Sequence, residues 1–217
     1  LIYTSKSDTK FFDCGYELGF DEIILNEAPR GHVQLSEGTV SIEEDMLSIS
    51  VYSDNFRYEF NKLTGLFDSL SYKNRSFTDR PMGWNIYRAP TDNDRNIRHK
   101  WEDCGYDRIT VKVYQNACGI TERGTAFIKS HLGISAVYIK KFLDISVTWE
   151  IDCMGRIKCD MDVKKDSDFP YLPRFGVRLF MPEKFSNTEY FGYGPYESYI
   201  DKRRASRLSI FAESVEN

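Results

Sequence analysis

The sequence predicts an all-β protein in which antiparallel strands, each with one apolar face, pack into a large two-layer sandwich. Three observations predict it. The run Leu143-Asp144-Ile145-Ser146-Val147-Thr148-Trp149-Glu150-Ile151 alternates without a break, and residues 157–163 repeat the alternation across a turn at 152–155. Side chains of a strand point to opposite faces in turn, so this pattern buries one side only. Aromatic residues make up 15% of the chain, and these types favour a pleated, half-buried surface. Turn residues punctuate the apolar runs at short intervals, and a single segment has the spacing of a helix.

The bulk properties narrow the function. Hydrophobic residues at 41% suffice for a core, and the 29% of charged residues mix both signs to a net charge of −4. No basic surface for nucleic acid is implied. No apolar run reaches the roughly 18–20 residues of a membrane span. The five cysteines, Cys14, Cys104, Cys118, Cys153 and Cys159, are odd in number and widely spaced, with no Cys-x-x-Cys. That argues against a disulfide framework or a zinc site and for free thiols in a reducing, cytoplasmic setting. The start, Leu1-Ile2-Tyr3-Thr4, has neither an initiator methionine nor the features of a signal peptide, so the expectation is a piece of a longer chain.

In order along the chain, residues 1–26 hold a polar stretch and then a strand at 22–25, with Gly15 and Gly19 placed for a turn or bulge. This is too little to fold alone and is expected to be the end of a preceding β-sandwich. Residues 27–44 form a linker, broken at Ala28-Pro29-Arg30-Gly31-His32 and again at Ser36-Glu37-Gly38, with short edge strands around Val33, Leu35, Val40 and Ile42. The main sandwich occupies 45–217. Its first strands are 46–52, 56–60 and 66–72, with turns at 61–65 and 73–75. Phe56, Tyr58 and Phe60 share a face that is expected to be core rather than a sugar platform. A short helix at 98–104 stops at Gly105. Further strands follow at 109–116, 125–132, 136–142, 143–151, 156–163, 174–181 and 187–192.

The stretch with most chemistry is Trp84-Asn85-Ile86-Tyr87-Arg88-Ala89-Pro90-Thr91-Asp92-Asn93-Asp94. It begins as a strand with Trp84, Ile86 and Arg88 on one side. Pro90 then removes a backbone donor and holds Ala89 extended. The Asp-Asn-Asp triplet folds side chains back onto nearby amides. A rigid strand ending in an acidic, amide-bearing loop can present polar groups to a ligand; taken alone, such a turn is more often structural. Arg88 is expected to pair with Asp92 or Asp94, so that Asp92→Ala loosens the loop.

Four segments in order carry a family resemblance. Residues 55–72 read x-F-x-x-x-F-N-x-x-T-G-x-[apolar]-x-S-[apolar], Arg88–Asp94 reads R-A-P-T-D-N-D, Trp101 to Gly105 reads W-x-x-x-G, and Gly192 to Arg203 reads G-x-G-P-x-E-x-Y-x-D-[KR]-[KR]. Together they resemble the C-terminal region of a family 2 β-galactosidase of the large bacterial type, from about Phe11 onward, with residues 15–25 similar to the last strands of the immunoglobulin-like domain before it.

The resemblance implies a galactose-mutarotase-like super-sandwich that runs on past Asn217. The catalytic (β/α)₈ barrel lies upstream, with both catalytic glutamates on its strands. It implies no catalytic residue and no cofactor in this stretch, the family's magnesium and sodium ligands lying in other domains. Arg88, Asp92, Asn93 and Asp94 would form the base of a loop at the rim of the active site, and residues 95–100 its moving part. Asn96 stands where the family often has glycine; asparagine tolerates left-handed backbone, so the same turn is expected. The implied function is a non-catalytic part of an enzyme that hydrolyses terminal β-D-galactosides such as lactose. Its partners would be the galactoside, other domains of the same polypeptide and, because half a sandwich leaves apolar faces and edges open, further copies of itself.

Asp92 and Asp94 are close enough in sequence to suggest the carboxyl pair of a retaining glycosidase, about 5–5.5 Å apart, but the resemblance places that pair in the barrel. In Gly194-Pro195-Tyr196-Glu197, a tight turn with Glu197 paired to Arg203 or Arg204 is favoured over a rim element. A free-standing carbohydrate-binding sandwich is the alternative function. An aldose-1-epimerase would need a His and a Glu converging, and His32, His99 and His131 are scattered.

Overall fold

Every strand pair among the described residues is antiparallel, and most strands pair with their neighbours in sequence. The computed structural model describes residues 1–26, 34–196, 198–199 and 202–214. They fall into two units, Leu1–Val33 with Ser186–Asn217, and Gln34–Phe185.

In the first unit, β1 (Ile2–Thr4) pairs with β2 (Glu17–Phe20). The sequence places a strand at 22–25; the structure gives that run no regular structure and leaves Ile23, Ile24 and Leu25 exposed. Three apolar residues in a row have no period of two, whereas Leu18 and Phe20 do.

The second unit is built from two meanders. β3 (Ser41–Glu44), β4 (Ser48–Tyr52), β5 (Phe56–Asn61), β6 (Leu66–Tyr72) and β7 (Arg75–Ser76) form one sheet in sequence order. Its turns follow local chemistry. The Asp45 carboxylate accepts the N–H groups of Leu47 and Ser48, both at 2.7 Å. Lys73 and Asn74, at φ 46° and 61°, make the two-residue turn whose left-handed geometry matches strand twist. β8 (Arg80–Asn85) and the helix α1 (Arg98–Asp103) follow. Then β9 (Ile109–Ile120), β10 (Ala126–Ala136), β11 (Ile139–Ile151) and β12 (Ile157–Lys165) form the second meander. β13 (Gly176–Phe180) returns to pair with β8.

The strand expected at 136–142 is cut by a turn, and its part from Ile139 onward runs unbroken into the strand expected at 143–151 as β11. Ala136 pairs with Ile139 across a turn at Val137 and Tyr138, and Tyr138 sits at φ 63°. A branched and an aromatic residue carry none of the usual turn signals.

The core lies between the meanders. One side supplies Ile49, Val51, Phe56, Tyr58, Phe60, Leu66 and Phe67; the other supplies Ile128, Leu132, Ile134 and the five apolar residues of 143–151. Phe67 stands edge-on to Phe60 at 5.4 Å and to Trp149 at 5.2 Å, joining the two layers. Each such ring contributes roughly 2–3 kcal/mol by burial. Phe56, Tyr58 and Phe60 are therefore core, and the Tyr58 hydroxyl donates to the Gly155 carbonyl at 2.7 Å.

A buried carboxylate ties residues 34–40 to this core. Asp152 accepts the N–H groups of Ser36, Met154 and Arg156, and also the Arg156 guanidinium, Nε at 2.8 Å. Burial pushes its pKa up, but these donors outweigh burial and leave it below the ordinary carboxyl value.

In the first unit again, β14 (Asn187–Gly194) and β15 (Arg207–Ser214) form a hairpin. The Glu22 carboxylate accepts the Leu208 N–H at 3.2 Å, and the Arg207 guanidinium lies 5.5 Å from the Phe20 ring centre. β15 has no counterpart in the sequence expectations. Glu197 and the linker residues 27–33 lie outside the described residues.

Candidate functional site

The strand that opens the polar loop is shorter than its alternation suggests. β8 ends at Asn85, opposite Gly176, where its partner β13 begins. Beyond that point no ladder continues, and Ile86 turns into the core, 1% exposed. Just before the end, the Trp84 indole donates to the Thr64 carbonyl at 2.9 Å, which fixes the strand end against the β5–β6 turn.

After Pro90 the chain makes a single 3-10 turn, Asp92–Asp94. Asp94 is its organising residue. Its Oδ2 accepts from Arg88 Nη1 at 2.5 Å, the Thr91 N–H at 2.8 Å and the Thr91 hydroxyl at 3.0 Å; its Oδ1 accepts from Arg88 Nη2 at 3.1 Å. An N–H at the mouth of a helical turn is thus satisfied by a carboxylate three residues on. Arg88 holds the Asp94 carboxyl down to about 2, with the Thr91 N–H and hydroxyl adding to it.

The remaining loop residues behave differently. Asp92, Asn93 and Asn96 are exposed, and their side chains make no hydrogen bond among the described residues. Of the two aspartates open to Arg88, the structure selects Asp94, so the loosening expected of Asp92→Ala belongs to Asp94 instead. Asn96 is not among the positive-φ residues; the chain passes from the 3-10 turn toward α1, with Ile97 N–H bonded to the Asp94 carbonyl at 2.9 Å.

Below the loop lies Trp101, fully buried in α1. The Arg88 guanidinium is 5.7 Å from its ring centre. The Trp101 indole donates to the Tyr171 carbonyl at 2.9 Å, and the hydroxyl of buried Tyr106 donates to the Pro170 carbonyl at 2.8 Å. The W-x-x-x-G motif points to Trp101. Nothing in the sequence points to residues 169–171, because their partners take hold of main-chain oxygens.

The loop joins a braced base, Arg88 with Asp94, to three exposed polar side chains, Asp92, Asn93 and Asn96. Asp94 is buried, ionised and fully engaged, which makes it a poor general acid or base. Among the described residues no three His, Cys, Asp or Glu side chains converge as metal ligands, and no helix is long and apolar enough to cross a membrane.

Fold and loop together define an antiparallel, sandwich-type β domain with a braced polar loop. Residues 52–217 match the family model described as beta galactosidase small chain, and the chain belongs to that family. It is 31% identical over 215 residues to a β-galactosidase of Actinobacillus pleuropneumoniae, an overlap covering 97% of this chain and 21% of the relative. It is 33% identical over 221 residues to one of Staphylococcus xylosus, covering 99% and 22%. Against one of Lactobacillus delbrueckii subsp. bulgaricus the identity is 28% over 216 residues, covering 97% and 20%. The chain spans about a fifth of the length of these curated relatives.

Proposed function

We propose that this chain is a non-catalytic part of a retaining β-galactosidase acting on terminal β-D-galactosides such as lactose. It scaffolds a catalytic barrel and supplies a loop at the rim of the active site. The observation that carries this is the family match over residues 52–217, together with relatives whose names are all β-galactosidase. The braced loop supports the second role: Arg88 and Asp94 fix its base, while Asp92, Asn93 and Asn96 offer one carboxylate and two amides to solvent, groups that suit sugar hydroxyls.

The two carboxyl groups of a retaining mechanism, and any magnesium or sodium, belong on this proposal to other domains of the polypeptide. The five free thiols support a reducing, cytoplasmic setting. The exposed Phe191, Tyr193 and Ile210 on the β14–β15 hairpin support burial against other domains or another copy.

The test is hydrolysis of lactose by the intact polypeptide, with the anomeric configuration of the released galactose followed by NMR. Hydrolysis with retention is expected. Absence of activity on every β-galactoside tried would overturn the proposal. Within that polypeptide, Asn93→Ala is expected to raise KM with little change in melting temperature.

A further inference from the structure

Three consecutive main-chain carbonyls, those of Phe169, Pro170 and Tyr171, are each held by a different side chain. Lys165 Nζ donates to Phe169 at 2.7 Å, the Tyr106 hydroxyl to Pro170 at 2.8 Å and the Trp101 indole to Tyr171 at 2.9 Å. The segment has no regular secondary structure that would bond these oxygens itself. Pro170 and Pro173 stiffen it further, and Lys140 bridges Asp166 and Asp168 just before it, at 3.0 and 2.8 Å. Such bracing removes conformational freedom at every residue. Two of the three donors, Trp101 and Tyr106, are fully buried, so the bracing is built into the core.

What the braced segment displays is one aromatic ring. Tyr171 is 60% exposed, while its ring is set at 81° to that of Trp101 with centres 5.8 Å apart. Trp101 in turn lies under Arg88, the base of the polar loop. A ring already fixed by its backbone and by a buried neighbour has little entropy left to lose on contact. An aromatic face with a polar rim group fits a ligand that has an apolar C–H face bordered by hydroxyls, the description of a pyranose ring.

We infer that Tyr171 binds substrate: its ring packs against the C–H face of a galactoside, with Trp101 as its positioning residue. This rests on the proposal that the Asp92–Asp94 loop borders a galactoside site. Trp101 links the base of the loop, through Arg88, to the carbonyl and ring of Tyr171, so loop base and ring are held against one buried side chain.

The test uses the intact polypeptide with Tyr171→Ala, Tyr171→Leu and Tyr171→Phe, measuring kcat and KM for lactose and the melting temperature. Loss of the ring is expected to raise KM about tenfold in the Ala and Leu variants, with kcat within about twofold and melting nearly unchanged; Phe keeps the wild-type KM. A merely structural role would move the melting temperature and leave KM alone, and that result overturns the inference. So does an unchanged KM in Tyr171→Leu, which keeps apolar bulk if the Ala variant fails to fold. A wild-type polypeptide inactive on galactosides would sink the proposed function as well; an active one with unchanged variants would sink only the role of Tyr171.

Discussion

Arg88 and Asp94 meet side-on, Nη1 on Oδ2 and Nη2 on Oδ1, with 17% and 9% of their side chains exposed. A planar guanidinium on a planar carboxylate fixes both distance and orientation. The seven residues from Arg88 to Asp94 are thereby closed into a loop in which the side chains of Asp92 and Asn93 point outward and make no hydrogen bond of their own among the described residues.

Removing one partner of that pair should cost far more than removing a neighbour. Asp94→Ala takes from the partly buried Arg88 guanidinium the carboxylate it meets side-on, and from the Thr91 N–H its acceptor, and is expected to cost about 2–3 kcal/mol. Asp92→Ala, at an exposed position, should stay within about 0.5 kcal/mol. Urea unfolding of both variants checks this, and protease sensitivity near residue 95 should rise in the first alone.

Acid should erase the difference between Asp94 and asparagine. The native carboxyl titrates at about 2, below its ordinary value of 3.8. A depressed folded-state pKa gives stability that is present above the ordinary value and lost as pH falls toward 2. The gap in unfolding free energy between wild type and Asp94→Asn is expected to be on the order of 2 kcal/mol at neutral pH. It should narrow between pH 4 and pH 2 by about that amount. A gap independent of pH in this window would contradict the assignment.

Asp152 holds residues 34–40 by its contact with Ser36. Asp152→Ala removes a fully buried carboxylate and leaves the N–H groups of Ser36, Met154 and Arg156 without their acceptor, while the Arg156 side chain, 45% exposed, keeps the Ser36 hydroxyl. A loss of about 2–3 kcal/mol is expected. Hydrogen exchange at Ser36 should quicken by more than exchange within β5.

Gly124 sits at φ 79°, and a Cβ there would lie 2.2 Å from the Gly38 carbonyl oxygen. Gly124→Ala should cost about 2 kcal/mol or more, from left-handed strain and the backbone clash together. Gly176→Ala is the control, with open space around its Cβ, and should be neutral or slightly stabilising on thermal melting.

The sheets were legible because their strands obey the period of two. The five apolar residues of 143–151 are all buried, and the Phe56, Tyr58, Phe60 stripe is core. Legibility ends where an element is decided by a partner rather than by its own residues. Strand β8 stops at Asn85 because β13 starts at Gly176, while Ile86 continues the alternation on paper. The turn at Val137 and Tyr138 is imposed by two long, paired strands. In the loop, R-A-P-T-D-N-D announces an ion pair, but burial alone chooses Asp94 over Asp92. The hold of Trp101 on the Tyr171 oxygen spans 70 residues and leaves no trace in side-chain chemistry at either end.

The pairing of β8 with β13 has a kinetic side. Each meander is assembled from hairpins whose ends are near in sequence, so each closes cheaply. Trp84 and Val177, by contrast, meet only after the whole second meander has been laid down between them. The ladder from which the polar loop departs is thus expected to close late, after both layers have found each other, and its amides to be among the first to open.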